Sequence, residues 1–389
     1  MEGDFIKINR WLLPLSWCYG LVVRFRNMLF DTSVLTSHDF TVPIISVGNI
    51  TVGGTGKTPH VEYLIRLLHK QAKVAVLSRG YKRKSHGFIV AGNNSSAHDI
   101  GDEPFQMKKK YPDVTVAVDK DRVHGINMLI QQDANIDVIL LDDAYQHRYV
   151  KPGINILLVD YHRLIIYDKL LPAGRMREPL KGKDRADIVI VTKCPKDLKP
   201  MEFRVITKAM DLYPYQHLFF STLDYGMLTP LFSNQGLTLD NAQLKDRNIL
   251  LLTSIASPRQ LIEDMAPLST NITPLSYPDH HNFSQKDIRH INDTFAAMKS
   301  PKCIVTTEKD AARIITLQGL SDEVRKNIYV LPVNISFMLE QEDKFNENII
   351  GYVRKNSRNS ILAKGKDDHK SQNSNSAGDR PRTISFRNN

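Results

Sequence analysis

Short apolar runs alternate with amphipathic stretches along most of the chain. The runs at residues 42–47, 74–77, 114–118, 138–141, 154–159 and 188–191 are four to six residues long and rich in Val, Ile and Leu, as strands buried on both faces are. Helical spacings lie between them, clearest where Val61, Leu64, Ile65 and Leu68 fall at i, i+3, i+4 and i+7 on one face. This alternation predicts βαβ units and a mostly parallel sheet covered on both sides. A second series at 217–222, 249–252, 303–306 and 328–333, with a helix over 285–298, predicts a smaller α/β lobe. The stretch 234–248 is polar and lacks a long period, so the lobe boundary is expected between about 210 and 245.

The two ends break the pattern. Residues 11–23 are apolar and aromatic, with Arg10 before them and Arg24 and Arg26 after. Crossing a bilayer takes about 20 apolar residues, so this run is expected to lie in the membrane interface, with Trp11, Trp17, Tyr19, Phe25 and Phe30 at headgroup depth. Its expected task is docking the chain on the membrane surface. From Lys355 onward the chain is Ser, Asn, Lys, Arg and Asp with almost nothing apolar, which predicts disorder. The expected plan is an interfacial helix over 1–35, a larger α/β core over 36–225, a smaller lobe with its linker over 226–354 and a polar tail over 355–389.

Composition narrows the class. Of 389 residues, 42% are hydrophobic and 24% charged, the balance of a folded protein. Three widely separated cysteines, Cys18, Cys194 and Cys303, make neither a disulfide framework nor a zinc site. The net charge of +10 favours an anionic partner, whether nucleotide, nucleic acid or acidic membrane surface, without choosing among them.

The choice comes from residues 48–59, which follow the first apolar run and lead into the first amphipathic helix. Backbone N–H groups around Thr51, Val52, Gly53, Gly54, Thr55 and Gly56 can line one anion-sized concavity, aided by the positive end of the helix. Lys57 then reaches the β/γ oxygens of a nucleoside triphosphate, and the Thr58 hydroxyl is placed for Mg²⁺. Thr51 stands where the generic motif has its first Gly, so the strand and helix on either side carry the assignment. Downstream, the run 136–141 ends in Asp142 and Asp143, the acidic strand end that holds Mg²⁺ opposite a phosphate-loop Thr.

Several further segments carry more reactive side chains than structure needs. The phosphate loop, Ser78–Arg79–Gly80–Tyr81, residues 101–104 (Gly, Asp, Glu, Pro), 142–147 with Gln146 and His147, Arg177–Glu178–Pro179, residues 278–281 (Pro, Asp, His, His) and 307–310 (Thr, Glu, Lys, Asp) occur in this order. Together they closely resemble the tetraacyldisaccharide 4′-kinase family of lipid A biosynthesis, over roughly residues 5 to 350.

The resemblance implies transfer of the ATP γ-phosphate to the 4′-hydroxyl of a tetraacylated glucosamine disaccharide 1-phosphate, at the cytoplasmic face of a Gram-negative inner membrane. It also implies a P-loop NTPase-like core of parallel strands, joined by a two-stranded linker to a smaller C-terminal α/β lobe, with the site in the cleft and a peripheral or monotopic N-terminal helix. By resemblance Asp102 is the base that receives the hydroxyl proton, and His280 is its partner. Lys57 and Arg177 neutralise phosphate charge, Thr58 and Asp142 ligate Mg²⁺, and Asp143 and Glu178 support the metal or the dyad. Asp279 is expected to hold the His280 imidazole, and Gln146 either to join the site or to brace it.

The chain departs from the family's commonest wording at Ala144–Tyr145 and at Lys82, which begins a basic run with Arg83 and Lys84. That run either meets the substrate phosphate or lipid headgroups, or is a solvated loop. The main competing reading is a membrane-associated partitioning-type ATPase. Such loops carry Lys before Gly-Gly, where this chain has Val52. A nucleic-acid-associated NTPase is disfavoured because no recognition module is legible, and nucleic acid is not an expected partner.

Overall fold

The structure, a computed structural model, describes residues 8–232, 238–255, 258–269 and 271–357. Its strands are β1 (Ile44–Gly48), β2 (Val74–Ser78), β3 (Ile89–Val90), β4 (Thr115–Val118), β5 (Val138–Asp142), β6 (Ile154–Asp160), β7 (Ile188–Thr192), β8 (His217–Tyr225), β9 (Thr229–Pro230), β10 (Asn248–Thr253), β11 (Ile272–Ser276), β12 (Lys302–Thr307), β13 (Ile328–Leu331) and β14 (Val333–Phe337). Every apolar run read as a strand contains one, and the run 328–333 is divided at Pro332 between β13 and β14. They form a nine-stranded sheet in the order β14-β8-β7-β6-β1-β5-β2-β4-β3 and a five-stranded sheet in the order β11-β10-β12-β13-β9. In the larger sheet the strands from β8 to β4 run parallel, and the outermost strands, β14 and β3, pair antiparallel to their neighbours.

The helix Lys57–Leu68 buries the predicted face, with Val61, Leu64, Ile65 and Leu68 packed against Ile45 and Val47 of β1. Each such side chain contributes about 2 kcal/mol when fully buried. Turning the helix by one residue would expose the stripe, so packing also fixes where Lys57 and Thr58 stand. Strand β1 has β5 on one side and β6 on the other, which puts the loop after Gly48 at the point where the strand order reverses, the place open α/β sheets bind ligands.

The smaller lobe is shorter than the expected 226–354. Strand β14 pairs with β8 in the core sheet, and the helix Glu342–Asn356 buries Phe345, Ile349 and Val353 in the core cluster with Ile45 and Leu68. Only the part up to β13 builds the second sheet; residues 333–357 return to the core. The reason is visible in the register: β8 and β14 form the two strands that leave and re-enter the core. That helix also carries Lys355 and Asn356 and is capped by Ser357, so ordered chain extends slightly into the stretch expected to be disordered; residues 358–389 lie outside the described residues.

The N-terminal helix Leu13–Asp31 has two unlike faces. One is open to solvent, with Trp11 (in the turn before it) 93% exposed, Trp17 77% and Leu21 69%. The other is attached to the segment 168–179: Ser16 Oγ lies 3.0 Å from the Leu170 carbonyl and accepts from the Ala173 N–H, and Tyr19 Oη donates to the Arg177 carbonyl at 2.9 Å. The helix therefore has a second, structural task beside the docking expected of its open face. Its inner face braces the strap that carries Arg177.

Candidate active site

The loop after β1 begins with a close approach. A Cβ on Gly48 would lie 2.7 Å from the Tyr145 Cβ and 2.8 Å from its backbone N, so only glycine lets the acidic segment after β5 pass this near. Residues 50–52 then pair with the strap, Arg177 N–H donating to Ile50 O at 2.7 Å and Val52 N–H to Arg175 O at 2.8 Å. That pairing aims the Arg177 guanidinium back at the loop, where it donates to Thr51 O at 3.0 Å and Asn49 Oδ1 at 2.7 Å. Asn49 Nδ2 in turn donates to Thr55 Oγ1 at 2.9 Å, tying the two halves of the loop together. Gly53 and Gly56 take φ of +119° and +81°, values that favour glycine. Lys57 opens the helix and Thr58 follows in its first turn, where Pro59 is tolerated because the N–H it lacks has no helical partner there.

Asp142 and Asp143 arrive at the carboxyl end of β5, as read from the sequence. Asp142 is buried; its Oδ2 accepts from Ser78 Oγ at 2.9 Å, while its Oδ1 is buried with no hydrogen-bond partner. Burial, then the charges of Glu103 and Asp143, push its pKa up against the pull of Lys57. Asp143, in a left-handed conformation at φ +48°, lies 3.5 Å from Lys57 Nζ and 3.7 Å from Arg177 Nη2. Burial raises its pKa, but Lys57 and Arg177 outweigh it and hold the carboxyl below its usual value.

The second cluster joins the lobes. Asp102 is the first residue of the helix Asp102–Lys110; Gly101 precedes it as N-cap, and the Asp102 side chain points to the other lobe. Across the cleft, His280 takes a left-handed φ of +57°, and its Nδ1 lies 3.0 Å from Asp102 Oδ2. Tyr81 packs edge-on against the His280 ring, centroids 5.0 Å apart. Two residues of the helix Glu308–Ile314 complete the group. Lys309 Nζ donates to His280 Nε2 at 3.1 Å, and Arg313 is ion-paired to Asp102 Oδ2. Lysine has only donors, so Nε2 must accept; the neutral ring then carries its proton on Nδ1 and donates it to Asp102. Arg313 Nη2 also lies 2.9 Å from that nitrogen, but two donors do not bond, and its partner is the carboxylate. Burial works to raise the Asp102 pKa, yet the hydrogen bonds and charges of His280 and Arg313 hold it well below the usual carboxylate range.

Two expected roles change, and Gln146 takes one of the two expected of it. Asp279 does not hold the imidazole: its Oδ1 is 3.8 Å from His280 Nε2, and Lys309, 2.9 Å from Asp279, stands between them. Glu178 is buried and its Oε2 is paired with Arg185 at 2.8 Å, which ties it into the strap's scaffold. Gln146 donates to the Asn49 carbonyl and so braces the loop. The sequence reading gave no role to Lys309 and Arg313, although they sit in and just after the Thr307–Asp310 motif, one helical turn apart. It also passed over Arg122, fully buried, which donates to the Asp142 carbonyl at 3.1 Å.

Known proteins resemble this chain in sequence and in fold. A profile of the family described as tetraacyldisaccharide-1-P 4′-kinase matches residues 8–354. The tetraacyldisaccharide 4′-kinase of Phocaeicola vulgatus is 57% identical over 364 residues, 92% of this chain and 99% of that protein. The enzyme of the same name from Bacteroides thetaiotaomicron is 52% identical over 380 residues, 95% of this chain and all (100%) of the other. Among solved structures, LpxK from Aquifex aeolicus in complex with ATP superposes with a TM-score of 0.68 at 30% identity, covering 88% of this chain and 98% of that one.

Proposed function

This chain belongs to the tetraacyldisaccharide-1-phosphate 4′-kinase family, and on that premise we propose how its cleft carries out the family's reaction. The chain is a lipid kinase that transfers the γ-phosphate of ATP to the 4′-hydroxyl of tetraacyldisaccharide 1-phosphate, forming lipid IVA in lipid A biosynthesis. The observation that carries the residue assignment is the pairing of two clusters in one cleft. Lys57, Asp143 and Arg177 stand at the phosphate loop, and the Asp102–His280 pair crosses between the lobes.

Phosphoryl transfer through a loose transition state needs charge stabilisation and in-line placement more than a strong base. Lys57 and Arg177 face the charge that builds on the phosphate oxygens, while Asp143 holds both cations near the loop before nucleotide arrives. Asp102 receives the proton of the 4′-hydroxyl. Both of its partners sit on Oδ2, so Oδ1 is the oxygen available to the acceptor. Its low pKa is compatible with this role, because proton transfer comes late in a dissociative reaction and positioning matters more than basicity. His280 and Arg313 supply the positioning.

The donor set also fits Mg²⁺. Asp142 Oδ1 is a buried carboxylate oxygen without a partner, and desolvation disfavours its charge, so a hard divalent cation would satisfy both. Thr58 and Asp142 would hold the ion. When bound, it neutralises charge on the phosphate oxygens. Among the described residues no cluster of three or more His, Cys, Asp or Glu could hold a metal, which accords with an ion that keeps waters and phosphate oxygens as most of its ligands.

Among the described residues no helix is long and apolar enough to cross a membrane. The exposed face of Leu13–Asp31, with Trp11, Trp17, Leu21 and Phe25 beside Arg24 and Arg26, supports docking on the cytoplasmic face of the inner membrane, where the acylated substrate resides. Replacing Trp11, Trp17 and Leu21 with Ser should release the protein from anionic vesicles and raise the KM for the lipid acceptor. ATP affinity should stay constant, since these side chains are exposed and Tyr19 still braces Arg177. Raising salt should weaken vesicle binding of the unaltered chain. Equal flotation of variant and parent with liposomes would assign this face to some other contact. For the reaction itself, purified chain with γ-labelled ATP should label tetraacyldisaccharide 1-phosphate and leave an unrelated sugar unlabelled; label on neither would refute the activity.

A further inference from the structure

In a trans peptide the carbonyl and the N–H of the next residue point in opposite directions, so fixing one aims the other. Three consecutive carbonyls of the phosphate loop are held from outside. Lys193 Nζ donates to Gly54 O, Thr192 Oγ1 to Thr55 O at 3.0 Å, and His60 Nδ1 to Gly56 O at 2.7 Å. The N–H groups of Thr55, Gly56 and Lys57 are thereby turned the other way, toward the concavity that takes phosphate. We propose that His60, Thr192 and Lys193 are positioning residues that set this row of N–H donors before the nucleotide binds. The proposal rests on the reading of this loop as the triphosphate site.

Each anchor is itself fixed. Thr192 ends β7 and is fully buried; its other acceptor, Val159 O, is farther away at 3.4 Å. Lys193 has a left-handed backbone, φ +58°, and its ammonium is paired with Asp160 Oδ2 at 2.8 Å. A non-glycine residue held in that conformation is locally unfavourable, and the side chain it delivers ends on a loop carbonyl, not in the core. His60 is buried, and Ser221 Oγ on β8 lies 3.0 Å from its Nε2. Because Nδ1 must carry the proton it gives to a carbonyl, Nε2 accepts from Ser221, which defines the tautomer. Burial pushes the His60 pKa down to about 4, so this neutral form persists at physiological pH.

All three anchors reach strands β7 and β8, on the opposite side of β1 from Asp142 on β5. The loop is thus fixed from the side away from the reacting phosphoryl group. Losing an anchor should therefore weaken triphosphate binding while kcat at saturation and the KM for the acceptor change little.

Thr192→Val keeps shape and removes the donor, and Lys193→Met keeps the stem and removes the ammonium; Thr192→Ser and Lys193→Arg return a donor. Calorimetry on the full chain with ATP and with inorganic tripolyphosphate reads the effect. Thr192→Val and Lys193→Met should each weaken both ligands in parallel by about fivefold, the size of one net hydrogen bond, with unliganded thermal midpoints near the parent's. The Ser and Arg variants should recover most of the affinity. Parent-like affinity in both deletions would overturn the proposal, as would failure of Ser and Arg to restore it. Weaker ATP with unchanged tripolyphosphate would also overturn it, by placing these side chains on the nucleoside. Should the unaltered chain bind neither ligand, the triphosphate reading of the loop falls, and with it this one.

Discussion

Lys57→Ala and Asp142→Ala should each lower the phosphoryl-transfer rate by at least about 10²-fold with ATP and Mg²⁺ saturating, about 2.7 kcal/mol of transition-state stabilisation. The two losses have different origins. Lys57 sits 3.5 Å from Asp143, and Arg177 is 3.7 Å from the same oxygen, so the loop already holds two cations around one carboxylate. Removing Lys57 takes away the cation at the head of the helix Lys57–Leu68 and leaves Asp143 to Arg177 alone. Asp142 acts through a buried oxygen that lacks a partner, which makes it the group best suited to a divalent ion. Removing it also frees Ser78 Oγ, so Asp142→Asn is the better shaped control: it keeps the hydrogen bond and loses the charge. Near-parental turnover in Lys57→Ala or in both Asp142 variants would remove this assignment of the phosphate site.

The parts of this site that were legible in sequence are those set by local chemistry. A phosphate loop needs its glycines, Lys and Thr contiguous, and an acidic strand end needs only a strand, so Gly53 to Thr58 and Asp142 could be read along the chain. The strand runs were legible for a similar reason, since burial on both faces imposes an uninterrupted apolar run. What could not be read is what depends on register between distant segments. Lys309 meets His280 across 29 positions and Arg313 meets Asp102 across 211, and nothing in either neighbourhood marks the partner. Asp279, adjacent to His280 in sequence, was the natural choice to hold the ring. Yet the left-handed turn at His280 leaves their atoms 3.8 Å apart and admits the Lys309 amine between them. The return of residues 333–357 to the core was not legible because the apolar run 328–333 continues through Pro332, and nothing in it marks where the chain leaves the smaller sheet.

The cluster between the lobes predicts the second large effect. Asp102→Ala should depress kcat strongly and leave ATP affinity little changed, because a base acts on the acceptor hydroxyl and need not touch the nucleotide. His280→Ala should also lower kcat, since Nδ1–H fixes the orientation of the carboxylate at 3.0 Å. The double variant should lose less than the product of the two single losses, as members of one catalytic unit do. Arg313→Met tests the third member by pH. Burial raises the Asp102 pKa and the partners lower it, so without the guanidinium the balance shifts upward. The ionised carboxylate is the active form; the acid limb of kcat/KM should therefore move to higher pH, and activity should be lost sooner as pH falls. His280 and Lys309 remain in that variant, so the cleft still has its imidazole and its second cation. Fully multiplicative losses in Asp102→Ala/His280→Ala would mean that the two residues work separately. An unmoved acid limb in Arg313→Met would mean that the Asp102–Arg313 ion pair opens before the acceptor is bound, leaving the carboxylate to His280 alone during the chemical step.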